Sequence, residues 1–140
     1  MGLILSTVQS VLDRESADYD VDKGDYFVYV TYLLKSECGP IEEKIVLSEE
    51  DEWFCVFGFF PTPISLDCLE KVYPVLSRIN TEEIFTTICV DEEDGELYVR
   101  CSCAVDGNVV NAEIVNTARY AVLRTINNVH DRVLKAVQDD

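Results

Sequence analysis

Four groupings along the chain carry side chains of the kind that do chemistry. Cys101-Ser102-Cys103 sets two thiols at i and i+2, which puts both on one face of a strand, where a thiol pair can hold a soft metal ion. No second close pair accompanies it, so the remaining ligands would have to come from distant positions, and two cysteines sharing a core face is the simpler reading. His130, the single histidine, is followed by Asp131. Neighbours at i and i+1 on a helix point in different directions, so these two do not make a ready dyad, and no local sequence around a cysteine supports a Cys-His nucleophile. The acidic run Asp91-Glu92-Glu93-Asp94-Gly95-Glu96 has the composition of a calcium loop, but it is too short and is flanked by strand-like segments where a calcium loop needs helices. A solvated hairpin turn accounts for it, and the run Glu49 to Glu52 reads the same way. The six glycines are scattered, with no phosphate-cradling loop. These groupings assign no catalytic, metal-binding or cofactor-binding residue, and the expectation is a protein that is not an enzyme and takes no cofactor.

The elements that would position these residues follow from periodicity. Residues 3–14 place Ile4, Val8, Val11 and Leu12 at helical spacing. Asp13 to Asp25 reads as a polar, acid-rich connection. Tyr26 to Leu34 is aromatic and β-branched, Gly39-Pro40 punctuates, and Ile41 to Leu47 returns with Ile41, Ile45 and Leu47 on one face, which predicts a hairpin. Trp53 to Phe60 (WFCVFGFF) is almost wholly apolar, so it is either a central strand covered on both faces or a strand with an exposed apolar face. Pro61-Thr62-Pro63 ends it. Ser65 is a candidate N-cap for a helix with Leu66, Leu69, Tyr73 and Leu76 on one face, which Pro74 should kink or divide. Ile84 to Val90 and Glu96 to Val105 predict a second hairpin, with Leu97, Val99, Cys101, Cys103 and Val105 towards the core. Asp106-Gly107-Asn108 then turns into a long helix over 110–137 carrying Ile114, Ala118, Ala121, Val122, Val129 and Val133. The order α-β-β-β-α-β-β-α predicts one α+β domain over residues 1–140, an antiparallel sheet of about five strands with helices packed mainly on one face.

Composition limits the partners. A formal net charge of −16 on 140 residues that are 48% hydrophobic describes an acidic surface around a real core. Such a surface repels nucleic-acid phosphates and anionic lipid and favours basic or zwitterionic protein partners. Residues 110–138 carry a net of +2, which against the total of −16 leaves −18 on the remainder. The terminal helix could therefore dock on an acidic face of its own domain or on that of a second copy. The apolar start lacks the basic region of a secretory signal, although Met1-Gly2 with Ser6 fits the loose myristoylation pattern. The six cysteines are expected to be reduced thiols in a cytoplasmic protein.

The stretch from Trp53 to Val137 resembles the YbjN-like family, small bacterial proteins sometimes labelled sensory transduction regulators. The resemblance rests on WFCVFGFF, on the helix closing in Leu76-Ser77-Arg78-Ile79-Asn80, on the strand–acidic turn–strand FTTICVDEEDGELYVRCSC, and on the long terminal helix with Tyr120. It implies a fold similar to the type III secretion chaperones, which are acidic, cytoplasmic, usually dimeric and bind extended segments of client proteins. It carries over no catalytic or metal residue. The expected function is a non-enzymatic cytoplasmic protein-interaction module, chaperone-like or regulatory, with a polypeptide partner and pairing of two copies as a further expectation, and with no nucleic acid or membrane partner. Trp53, Phe57, Phe59, Arg119 and Arg124 are the candidate partner-binding residues. The alternatives are a small-ligand-binding or enzymatic domain, with a pocket between sheet and helices that uses Cys101 or Cys103, and an acidic nucleic-acid mimic. The clustering of acids at turns argues against the mimic.

Overall fold

The structure, a computed structural model, describes residues 2–105 and 109–138; the turn expected at Asp106-Gly107-Asn108, and Met1 of the myristoylation pattern, lie outside them. The chain runs α1 (Leu3–Arg14), β1 (Tyr19–Lys23), β2 (Phe27–Ser36), β3 (Gly39–Ser48), β4 (Trp53–Phe59), a 3-10 turn (Leu66–Cys68), α2 (Leu69–Glu82), β5 (Thr87–Val90), β6 (Leu97–Ala104) and α3 (Ala112–Gln138). All neighbouring strands pair antiparallel, in the order β1-β2-β3-β4-β6-β5. The α+β class and the one-sided helix layer are as expected, with six strands instead of about five. The additional strand is β1, inside the segment read as a connection. Its sequence YDVDK buries almost nothing, so no apolar alternation announces it, and its ladder to β2 is what makes it a strand.

The amphipathic stripe of α1 buries Ile4, Leu5, Val8, Val11 and Leu12. Its first free N–H groups, those of Leu3 and Ile4, both donate to the carboxylate of Asp51 at 3.0 Å, so the β3–β4 turn caps a helix 47 residues away in sequence. In α2 the buried stripe is Val72, Val75, Leu76 and Ile79; Leu66 and Tyr73, expected on that face, are exposed. The helix continues through Pro74 without dividing; a 3-10 turn capped by Ser65 precedes it. Ile84 and Phe85, read as the start of β5, lie outside the strand and are exposed.

Strand β4 answers the question its composition leaves open. Phe54, Val56 and Gly58 face the helices and are buried, while Trp53, Phe57 and Phe59 are half-buried on the opposite face. The long helix α3 docks on its own domain, across this strand. A Cβ on Gly58 would stand 2.5 Å from Val122 Cγ1 and 2.9 Å from Ile126 Cδ1, so the missing side chain sets how closely the helix can lie on the sheet. Gly58→Ala is therefore expected to overpack the α3–β4 contact and destabilise the fold by about 1–3 kcal/mol, read from the urea midpoint at unchanged slope.

Candidate functional site

The helices cover one face of the sheet and leave the other without an α-helical layer. Register places Phe27 and Tyr29 of β2, Lys44 and Val46 of β3, Trp53, Phe57 and Phe59 of β4, and Tyr98 and Arg100 of β6 on this open face. Phe27 and Trp53 meet edge-on with ring centroids 5.4 Å apart, and Phe57 stacks on Phe59 at 6.4 Å. Tyr98 tilts against both phenylalanines at 5.9 and 6.1 Å. Lys44, Phe57 and Arg100 form one cross-strand row, and Lys44 Nζ lies 5.9 Å from the centroids of both Tyr29 and Phe59. The same register puts Asp20 and Asp22 of β1, Lys35 of β2 and Glu42 of β3 on this face. A shallow concavity of about 670 Å³ runs between Phe27, Tyr29, Trp53, Phe57 and Arg100. Such a surface can bury apolar groups and place a carboxylate over its cations.

The structure thus brings Trp53, Phe57 and Phe59 together. Arg124 is exposed on α3, far from them in the fold, beside a second cavity of about 400 Å³ between α3 and β6. Cys101 and Cys103 line that cavity. Their mutual hydrogen bond holds the Cys101 thiol far above its usual range, with burial adding to the effect, and pulls that of Cys103 down. Among the described residues, no group of three or more His, Cys, Asp or Glu is placed to hold a metal. His130 packs its ring 5.7 Å from Phe60, and its Nδ1 reaches the fully exposed Asp131 at a long 3.4 Å.

Arg119 corrects the expectation that it faces a partner, because its side chain is 1% exposed and inside the protein. Its Nη1 and Nη2 donate to the two carboxylate oxygens of Glu15 at 2.9 and 3.0 Å, Nη1 also to Asn116 Oδ1 at 2.9 Å, and Nε to Tyr32 Oη at 2.9 Å. Tyr32 Oη in turn donates to Glu43 Oε1 at 2.5 Å, while Arg119 Nε stays 3.8 Å from that atom. Glu43 is fully buried, and among the described residues its Oε2 has no hydrogen-bond partner. Sequence reasoning missed Glu15, Tyr32 and Glu43, although the alternation Ile41-x-Glu43-x-Ile45 does put a carboxylate on a core position.

Burial raises the Glu43 carboxyl to about 7, against the lowering effects of Tyr32 and Arg119, whereas the Arg119 hydrogen bond lowers that of Glu15. The native state then holds a proton on Glu43 that the unfolded chain, at 4.5, releases earlier. The stabilisation Glu43 provides is complete below pH 4.5 and is lost as pH rises to about 7; Glu15 contributes with the opposite sign, lost as pH falls. Glu43→Gln cannot titrate. Its unfolding free energy relative to wild type is therefore expected to rise between pH 4.5 and about 7 and to stay level outside that window, measured by urea unfolding across pH.

No protein-family model matches the chain, and no curated protein matches it significantly. Solved structures do. YbjN from E. coli, provisionally described as a transcription regulator, superposes with a TM-score of 0.65 at 15% identity over 94% of this chain and 93% of that one. An uncharacterized protein from Methanothermobacter thermautotrophicus superposes at 0.62 with 10% identity, covering 94% and 97%. The fold of this chain is therefore YbjN-like, as the resemblance implies.

Proposed function

We propose that this chain is a non-enzymatic, cytoplasmic protein-interaction module, chaperone-like or regulatory, that binds a polypeptide partner on the open face of its sheet. The observation that carries the reading is the uncovered aromatic surface built by Phe27, Tyr29, Trp53, Phe57, Phe59 and Tyr98 around Lys44 and Arg100. Aromatic and arginine side chains are what concentrate binding energy at protein interfaces. With Asp20, Asp22 and Glu42 on the same face of a chain of charge −16, its cations give little purchase to a phosphate backbone, so protein is favoured over nucleic acid. The matching partner surface is apolar at its centre, with a carboxylate for the Lys44–Phe57–Arg100 row and basic groups for the acidic surround. YbjN's description as a regulator is compatible with action through protein contact. Among the described residues no helix is long and apolar enough to cross a membrane.

Photo-crosslinking in the native cell tests this. A benzophenone amino acid at Phe57 is expected to give discrete protein adducts, and the same probe at Tyr73, exposed on α2, to give none. An adduct at twice the chain mass would identify a second copy as the partner. Adducts from Tyr73 in the absence of any from Phe57 would set the open face aside.

A further inference from the structure

The six-stranded sheet has two edges, and the fold protects them unevenly. Strand β1 closes one with Asp20, Asp22 and Lys23 in a run of five residues. On the other, β5 covers β6 from Leu97 to Arg100, and the outward backbone of its Ile88 is itself satisfied: Asn80 of α2 donates to Ile88 O at 3.0 Å and accepts from Ile88 N at 2.8 Å. Beyond Arg100 the cover stops. Thr86 leaves the sheet to hydrogen-bond Thr125 of α3 at 2.8 Å, Glu83 N bonds back to Ile79 O at the end of α2, and Phe85, next in register, stands exposed.

The parity of the ladder shows which groups this leaves open. Phe60 N bonds Leu97 O and Val105 N bonds Glu52 O, so the odd residues of β6 face β4; Asp91 N bonds Glu96 O, so the even ones face β5. The N–H and C=O of Ser102 and of Ala104 therefore point off the sheet, and among the described residues nothing bonds them. Alongside them runs the 400 Å³ groove, walled by Phe85, by Cys101 and Cys103, and by Ile114, Ala118 and Ala121 of α3. The small alanines make the groove deep, and Phe85 and Ile114 are left exposed at its lip.

We propose that this groove takes an extended segment of a partner polypeptide, which adds to β6 in line with β5 and lays alternate apolar side chains against α3. Two donors and two acceptors at two-residue spacing are the pattern a strand meets, whereas a compact ligand would leave most of them unpaired. Charge chooses the source. Two copies of charge −16 repel each other as they approach, whereas a partner segment with basic flanks is attracted to the chain as a whole; at the groove itself Glu113 and Arg124 balance. The proposal does not depend on the open-face reading: its anchors are the β6 edge backbone, Phe85 and Ile114, none of which belongs to the aromatic cluster.

The probe is a fluorescein-labelled synthetic peptide with valine and isoleucine at alternate positions and lysine at both ends, titrated by anisotropy. Ala104→Pro removes an N–H that faces off the sheet and spares the β4 ladder, and Ile114→Asp changes an exposed lip residue. Saturable binding is expected, weakened at least about tenfold by each variant and unchanged by Phe57→Ser. Amide exchange at Ser102 and Ala104 is expected to be fast in the free protein and slowed by the peptide, while Cys101 and Cys103 exchange slowly throughout. The exchange experiment needs no variant to fold. Absence of saturable binding, binding indifferent to both edge variants, or Ser102 and Ala104 amides already protected in the free protein would each overturn the proposal.

Discussion

A guanidinium cannot shed its proton to escape burial, so Arg119, once inside, must be met by acceptors from whatever surrounds it. Glu15 follows α1, Tyr32 is on β2, Glu43 on β3 and Asn116 on α3 itself, so the requirement fixes the end of one helix and the axial position of another over the middle of the sheet. Gly58 lets that position be close, because Val122 and Ile126 occupy the space a side chain would take. Hydrophobic burial favours any arrangement that covers Val30, Ile45, Phe54 and Val56; the directional bonds of Arg119 select one. With α1 and α3 held to the same face and α2 beside them, the described residues include no α-helix left for the other.

The charge balance at this point explains why two carboxylates accompany one cation. Glu15, half open to solvent, takes both terminal nitrogens and stays ionised easily; Glu43, fully enclosed, receives only the Tyr32 hydroxyl and leaves one oxygen unmet. Ionising both would put a net negative charge in the interior, and burial makes Glu43 the one that keeps its proton up to about pH 7. The two acids thus have different electrical characters because one lies at a helix end and the other beneath a helix.

Much of this could be read from residue order. Helix α1, the β2–β3 and β5–β6 hairpins and the length of α3 follow from periodicities strong enough to survive tertiary context. Strand β1 did not, because an edge strand with charges on both faces leaves no apolar period. Arg119 resembled Arg124 and Arg132 in composition, yet it sits among Val115, Ala118, Val122 and Ile126, on the stripe that turns inward, just as Glu43 interrupts the inward series of β3. Opposite charges on the buried faces of two separate elements are a legible signal of an interior pair. Trp53, Phe57 and Phe59 of β4 share one face, as alternation dictates, but one strand cannot tell whether that face is covered; that depends on where every helix goes.

The acidity of the chain has a structural reading as well as a binding one. Many carboxylates lie at turns, and three of them do local work: Asp91 and Asp94 accept the backbone N–H groups of Glu93 and Glu96 in the β5–β6 turn, and Asp51 caps α1. Others, such as Asp20 and Asp22, stand on the outer strand, where charge discourages pairing with another sheet. The open face differs, with Lys44 and Arg100 at its centre and the apolar rings around them. Two of its cations thus lie where aromatic area is concentrated. Their position offsets the surrounding acids, so long-range repulsion weakens where apolar contact is available, and the two terms favour the same docking site.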